Sequence, residues 1–174
     1  MLRRPATILL MFGVTAVVML RWMPHAHVQA SPPKQEALAI VVNQSNPVDD
    51  LSFSELRAVF LGERSHWPNG RRITLVMMEP GHPEREAVLH DVCRMGEADF
   101  RRRFLQGLLT GEVLVSPKTL ATTAGVRKFI FNVPGAIGYL RPADVDASVK
   151  VLRIDGHYPN DAEYALRIPV RTEK

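Results

Sequence analysis

The sequence predicts an α/β fold with a largely parallel sheet of about four to five strands flanked by helices. Two apolar runs, residues 37–42 and 73–78, are each followed by a turn and then by apolar residues at helical spacing. Strands that alternate with helices in this way indicate a layered structure with a mostly parallel sheet. Of the 174 residues, 46% are hydrophobic and 23% are charged, which is typical of one globular domain.

The first thirty residues have the order of a secretory signal peptide. Arg3 and Arg4 precede an apolar run over residues 6–20, and small residues lead up to Ala30. The run is shorter than the roughly 20 residues that a membrane-spanning helix needs. We therefore expect a cleaved signal peptide over residues 1–30 and a periplasmic protein; the alternative is a chain anchored by an uncleaved N-terminal segment.

The junction after the leader carries no Cys, so a lipid-attached form is not expected. We predict a linker over residues 31–36 and one α/β domain over residues 37–174. The chain has 22 Lys and Arg against 18 acids, and residues 1–30 hold three Arg and no acid, so the remainder has 19 against 18. A net charge of +1 argues against nucleic acid as a partner, because such proteins need a basic face.

The predicted elements follow from local patterns. Residues 37–42 form a first strand that ends at a turn rich in Asn and Ser, and Ser52 with Glu55 forms the capping box of a helix that stops before Gly62. Trp67 precedes a Pro-Asn-Gly turn and is expected to anchor that loop on the core. Residues 73–78 form the second strand.

A helix is predicted to begin at Pro83, since proline is favoured at the first helical position. A further helix is expected over residues 97–109, where Phe and Leu recur at helical spacing, and a loop follows over residues 110–118. The remaining predictions are a helix that opens at Thr122 and Thr123 and three strands, over residues 136–140, 149–154 and 164–170.

Six short segments follow one another along the chain and carry the resemblance described next. They are Val42-Asn43 with Asn46-Pro47, residues 51–56, Phe60-Leu61-Gly62, Trp67-Pro68-Asn69-Gly70, the turn at Gly81, and Gly135-Ala136-Ile137-Gly138-Tyr139. From residue 37 to residue 152 the chain resembles the PstS-like substrate-binding proteins of phosphate ABC transporters. The resemblance implies a type II periplasmic-binding-protein fold, in which two α/β lobes close on an oxyanion. This chain is long enough for about one lobe and resembles the family's compact single-lobe members.

The resemblance implies an oxyanion site at the turn after the second strand. Compact members place Gly-Ser-Pro in this turn and an Arg two residues after the Pro. Gly81, Pro83 and Arg85 match that pattern, while His82 replaces the serine. Glu79 stands for the carboxylate of the full-length members, whose arginine and hydroxyls in this turn have no counterpart here.

The residues themselves allow two interpretations of this turn. A helix that begins at Pro83 presents unpaired N–H groups and a positive dipole end to an anion, to which His82 and Arg85 would add donors. Against this, Glu84 and Glu86 already place negative charge in the first turn. An ordinary capped helix therefore remains an alternative.

Four further residues are candidate ligands, and for each of them a role in local backbone structure is the alternative. Thr122 and Thr123 lie near the family's second Gly-rich anion loop, but either is also a sound N-cap. Asn43 and Ser45 follow the first strand, where α/β sheets bind ligands, but Asx turns explain the same residues.

Neither a metal site nor an enzyme is predicted. His90 and Cys93 share a helix face, but two ligands do not make a metal site. No nucleophile elbow, P-loop or zinc-protease helix occurs, and no cofactor is expected.

The leading hypothesis is an exported, non-enzymatic domain that binds phosphate or a similar oxyanion for an ABC transporter and contacts its membrane component or another periplasmic protein. The alternative is an accessory or sensory domain of the same fold that binds a protein partner and no small anion. A third possibility is that two copies associate to rebuild a two-lobed cleft.

Overall fold

The structure, a computed structural model, describes residues 35–112 and 115–170. The expected signal peptide and most of the linker lie outside these residues. The described strands are β1 Gln35–Ala37, β2 Ala39–Asn43, β3 Asp50–Leu51, β4 Thr74–Met78, β5 Lys118–Leu120, β6 Ala136–Leu140, β7 Val149–Val151, β8 Arg153–Ile154 and β9 Arg167–Pro169. The helices are α1 Phe53–Phe60, α2 Pro83–Ala87, α3 Glu97–Thr110 and α4 Thr123–Asn132; α2 continues as a π-helix, Val88–Cys93, and a short 3₁₀ helix spans Pro142–Asp144.

The central sheet has five strands in the order β5-β4-β6-β2-β7. β4 pairs in parallel with both β5 and β6, whereas β2 is antiparallel to both β6 and β7. Four strands thus point one way and β2 points the other, which confirms the predicted largely parallel α/β sheet. The direction of β2 could not be predicted, because a continuous apolar run has no directional signal.

Three predicted strands are placed differently from expectation. The run 37–42 is divided at Leu38 between β1, which pairs with β9, and β2, in the central sheet. The run 149–154 is divided at Leu152 into β7, in the central sheet, and β8, which pairs with β3 in a sheet of two strands. The run 164–170 contributes only β9, which pairs with β1 away from the central sheet. β5 lies at the end of the predicted 110–118 loop and was not foreseen as a strand.

The helix ends and the loop anchor agree with the sequence. Ser52 and Glu55 form both hydrogen bonds of the capping box at the start of α1. Trp67 is buried, and its indole N–H donates to the Gly135 carbonyl at 3.0 Å, which confirms that it anchors its loop. None of the helices within residues 35–112 and 115–170 is long and apolar enough to cross a membrane.

A buried ion-pair network joins three parts of the fold. Arg141, directly after β6, donates to the carboxylates of Glu84 in α2 and Glu36 in β1 and also to the Pro169 carbonyl in β9 at 3.0 Å. The side chains of Arg141 and Glu84 are each 4% exposed. The two-stranded β1–β9 sheet is therefore tied to the central sheet through one guanidinium.

Candidate functional site

The turns that follow β4 and β5 lie side by side at one edge of the central sheet. The two strands are parallel, with Met78 opposite Leu120. The Glu79 N–H donates to the Leu120 carbonyl at 3.1 Å. Residues 79–82 and 122–125 therefore begin at the same place, where the carboxyl ends of parallel strands form the usual ligand site of α/β proteins. We call this the carboxyl edge.

Six of the eight predicted ligand residues lie on the elements that meet at the carboxyl edge: Glu79, Gly81, His82, Arg85, Thr122 and Thr123. The other two, Asn43 and Ser45, do not. They follow β2, which is antiparallel to β6, so they lie at the opposite edge, where β6 and β4 begin. The expectation that they would join the carboxyl ends of the other strands is corrected by the direction of β2.

Asn43 has a structural role at that opposite edge. It is 6% exposed, and its amide nitrogen donates to the carbonyls of Ile130 and Phe131 at 2.8 and 2.6 Å. Its amide oxygen accepts from the N–H and the hydroxyl of Ser45 in an Asx turn. Asn43 thereby ties the end of β2 to the last turn of α4.

The turn after β4 opens α2. Gly81 has φ of +90°, a left-handed conformation that favours glycine. His82 is the N-cap residue, but its side chain makes no capping hydrogen bond. Glu84 and Glu86 occupy the first turn of α2, where their charges interact with the positive end of the helix dipole. This helix end is therefore poorly suited to hold an anion by itself.

The start of α4 is better suited to an anion. The Thr122 hydroxyl accepts from the Gly125 N–H at 3.0 Å, so Thr122 is the N-cap residue. No acidic residue lies in the first turn of α4, which begins at Thr123. The positive end of this helix dipole is thus not offset by a carboxylate of its own first turn.

Arg85 is held by its own carboxylate partner. It is 5% exposed, and its Nε and Nη2 donate to the two carboxylate oxygens of Glu97 at 2.7 and 2.9 Å. Its Nη1 donates to the Met78 carbonyl at 2.8 Å, and the guanidinium lies over the Phe100 ring. Such bidentate pairs are strong and fix the planar group. Arg85 therefore links the end of β4 to the start of α3.

No pattern in the sequence pairs Glu97 with Arg85. The two residues are twelve positions apart and lie on different helices. The only local signal was an acid at the start of a predicted helix, which the helix dipole explains equally well. A groove of about 430 Å³ lies beside this pair, lined in part by Phe104, Leu105 and Leu108.

His90 and Cys93 differ in solvent exposure, although they lie on the same helix. The His90 side chain is 84% exposed and contacts Asp91, whereas Cys93 is fully buried. Among the described residues, no group of three or more His, Cys, Asp or Glu side chains is placed to hold a metal ion.

Cys93 is expected to resist thiol reagents in the folded protein. Burial raises the pKa of its thiol from the ordinary 9.0 to about 12, and only the thiolate is reactive. At about pH 8, Ellman's reagent should modify the thiol only after denaturation; rapid reaction of the native protein would contradict this burial. Because folding raises this pKa, the thiol's contribution to stability is present below about pH 9 and is lost as the pH rises toward 12.

The fold is similar to that of several solved substrate-binding proteins. A putative phosphate ABC transporter substrate-binding protein from Clostridium perfringens, solved with bound phosphate, has a TM-score of 0.64 at 20% identity; it covers 78% of this chain, which spans 54% of that protein. An ABC-type phosphate transport receptor from Vibrio cholerae has a TM-score of 0.59 at 22% identity, and the match covers 78% of this chain and 55% of that protein. PstS from Borrelia burgdorferi has a TM-score of 0.64 at 12% identity, and the match covers 80% of this chain and 57% of that protein. The chain thus has the periplasmic-binding-protein fold, over about half the length of these proteins.

Among proteins with this fold, the sequence comparison points to the phosphate-binding PstS proteins. The chain is 31% identical over 123 residues to the phosphate-binding protein PstS of Bacillus subtilis (strain 168). The aligned region covers 70% of this chain and 37% of the relative. No protein-family model matches the chain. The predicted resemblance to PstS-like proteins is confirmed, and the chain corresponds to a compact part of such a protein.

Proposed function

We propose that this chain is an exported binding domain that takes up phosphate or a similar oxyanion for an ABC transporter and catalyses no reaction. The observation that carries the proposal is its 31% identity over 123 residues to a phosphate-binding PstS. The solved proteins of similar fold include one with bound phosphate. Removal of residues 1–30 on export, and contact with the membrane component of a transporter, are parts of the same proposal.

The carboxyl edge is the proposed site. On one side, the donors would be the N–H groups at the start of α4, other than that of Gly125, which Thr122 caps, and the hydroxyls of Thr122 and Thr123. The backbone at Gly81 and the His82 ring supply donors on the other, and the Glu79–Leu120 hydrogen bond holds the two turns together. An oxyanion needs several donors and a positive dipole end, and the absence of an acidic residue from the first turn of α4 supports the choice of this edge.

Arg85 fits a positioning role in this site. Its three described hydrogen bonds, two to Glu97 and one to Met78, use most of the guanidinium and fix the strand end from which the turn begins. We therefore expect Arg85→Ala to weaken phosphate binding through disorder of this turn. Unchanged affinity in this variant would remove Arg85 from the site.

The proposal predicts a phosphate-selective increase in Tm. A ligand present at 100 times its Kd stabilises the folded state by about 2.7 kcal/mol, which is several degrees for a domain of this size. Thermal unfolding is measured in a phosphate-free buffer with added phosphate, sulfate or chloride at matched ionic strength. No shift with any anion at millimolar concentration would contradict the proposal.

Removing the Thr123 hydroxyl tests whether this residue contacts phosphate. Thr123→Val keeps the branched shape but removes the hydroxyl, so it should leave the phosphate-free Tm nearly unchanged and reduce the shift caused by phosphate. Thr110→Val is the matched control, since the described hydrogen bonds of the Thr110 hydroxyl go to backbone carbonyls of its own helix α3. Equal phosphate shifts in both variants would exclude Thr123 as a ligand.

The accessory-domain alternative is favoured by one observation. Arg85 is occupied by a carboxylate of this chain, whereas an arginine reserved for an anion would be open to it. That alternative expects no anion-dependent change in Tm and capture of a specific periplasmic protein, so the thermal measurement separates the two functions.

A further inference from the structure

A small pocket lies at the end of the central sheet opposite the carboxyl edge, where β4 begins. Its volume is about 40 Å³, which is room for about three water molecules. Two arginines, Arg64 and Arg72, line it together with the hydroxyl-bearing residues Ser65, Thr74 and Ser116. None of the described residues that line the pocket is acidic. The pocket is therefore suited to a negatively charged group.

The backbone around this pocket is fixed by the fold. The Ile73 N–H donates to the Ser65 carbonyl at 2.8 Å, and His66 and Arg72 form an antiparallel bridge. The Arg72 carbonyl oxygen also lies so close to Gly135 that a Cβ atom there would be only 2.1 Å away. The lining residues are therefore in place before a ligand binds, which reduces the entropy that binding costs.

Donor groups of the pocket are available to a ligand. The Arg72 side chain is exposed and forms no hydrogen bond or ion pair with another described residue. The hydroxyls of Thr74 and Ser116 likewise form no hydrogen bond among the described residues. Arg64 uses one nitrogen, Nη1, on the Glu55 carboxylate at 3.1 Å. Guanidinium groups bind carboxylates and other oxyanions through paired N–H donors, so Arg72 is the main candidate to hold an anion.

The buried part of the lining is apolar and decides the class of anion. It consists of Val59, Ile73, Leu75 and Phe104, each at most 9% exposed. Phosphate carries oxygens on every side and would press some of them against these side chains without donors. A short-chain carboxylate instead has one charged end and one apolar end. We propose that this pocket binds a short-chain aliphatic carboxylate, with its charged group at Arg64 and Arg72 and its alkyl chain on the apolar side chains.

The size of the pocket predicts the length of the alkyl chain. Each methylene group that leaves water improves the affinity about fourfold. The affinity should therefore rise from acetate to propionate to butyrate. Hexanoate should bind no more tightly than butyrate, because its additional carbons exceed the room for about three water-sized groups. The proposal does not depend on phosphate binding at the carboxyl edge.

Titration of the full chain with sodium butyrate, followed by amide NMR spectra, tests the pocket. Sodium chloride keeps the ionic strength constant. We expect saturable shifts of the amide signals of Ser65, Ile73 and Thr74, and the stated order of affinity among the carboxylates. Butanol has the same alkyl chain without the charge and should cause no saturable shift. Absence of a saturable shift with butyrate, or equal binding of butanol, would overturn the proposal.

Two neighbouring arginines supply a matched pair of variants. Arg72→Met should weaken butyrate binding about tenfold, because it removes a charged pair of donors. Arg71→Met makes the same change one position earlier, where the side chain donates to the Ser45 hydroxyl at 3.4 Å and does not line the pocket, and should leave the affinity unchanged. Far-UV circular dichroism and Tm confirm that both variants are folded. Equal butyrate affinity of the two variants would overturn the assignment of Arg72.

Sodium phosphate distinguishes this pocket from the proposed phosphate site. We expect phosphate to shift the amide signals of Ser65, Ile73 and Thr74 less than butyrate does at the same concentration. Tighter binding of phosphate than of butyrate at these three residues would overturn the choice of a carboxylate. Phosphate-induced shifts at residues 79–82 and 122–125, or their absence, report on the proposed function alone.

Discussion

Replacing Gly135 by alanine is expected to lower the free energy of unfolding by about 3 kcal/mol and the Tm by about 10 °C. A Cβ atom at this position would lie 2.1 Å from the backbone carbonyl oxygen of Arg72, far inside van der Waals contact. The Gly135 carbonyl also accepts from the Trp67 indole and from the Thr74 N–H, each at 3.0 Å. Movement away from the clash would break both bonds, and thermal and chemical denaturation measure the loss.

Gly96→Ser is the matched control for this substitution. No heavy atom lies within 4 Å of a Cβ atom built at Gly96, and the residue is the N-cap of α3, a position that favours serine. We expect its stability to change little. If Gly135→Ala were as stable as Gly96→Ser, the close approach of the Gly135 and Arg72 backbones would be incorrect.

Arg141→Met is expected to destabilise the fold by about 3 to 5 kcal/mol. The methionine retains an apolar stem, but the carboxylates of Glu84 and Glu36 lose the cation that they share. The Glu84 side chain is 4% exposed, and removing a charged partner from a buried carboxylate is costly. Chemical denaturation with a two-state fit measures the difference.

Two further variants distinguish lost charge pairing from lost packing. Adding Glu84→Gln to Arg141→Met removes the buried negative charge and should recover part of the stability. Arg64→Met, which removes an exposed ion pair to Glu55, should lower the Tm much less because water screens that pair. Equal effects of Arg64→Met and Arg141→Met would show that the Arg141 network is not buried in solution.

Much of the candidate site followed from local sequence. The turn at Gly81, the helix that begins at Pro83 and the cap at Thr122 each depend on residues within a few positions of one another, and the structure contains all three. These segments meet at one edge because β4 pairs in parallel with β5, and no sequence pattern predicted β5 as a strand.

The sequence by itself determined the α/β class, the capped start of α1, the strands β4 and β6, and the anchoring role of Trp67, because periodicity, capping and turn preferences act between near neighbours in the chain. Only the tertiary structure decided the direction of β2, the division of residues 149–154 between two sheets, and the partners of Asn43 and Arg85. Asn43 bonds to a carbonyl 87 positions away and Arg85 to a carboxylate 12 positions away. Such contacts depend on how whole elements pack, and a polar side chain has the same local pattern whether it binds a ligand or another part of its own fold.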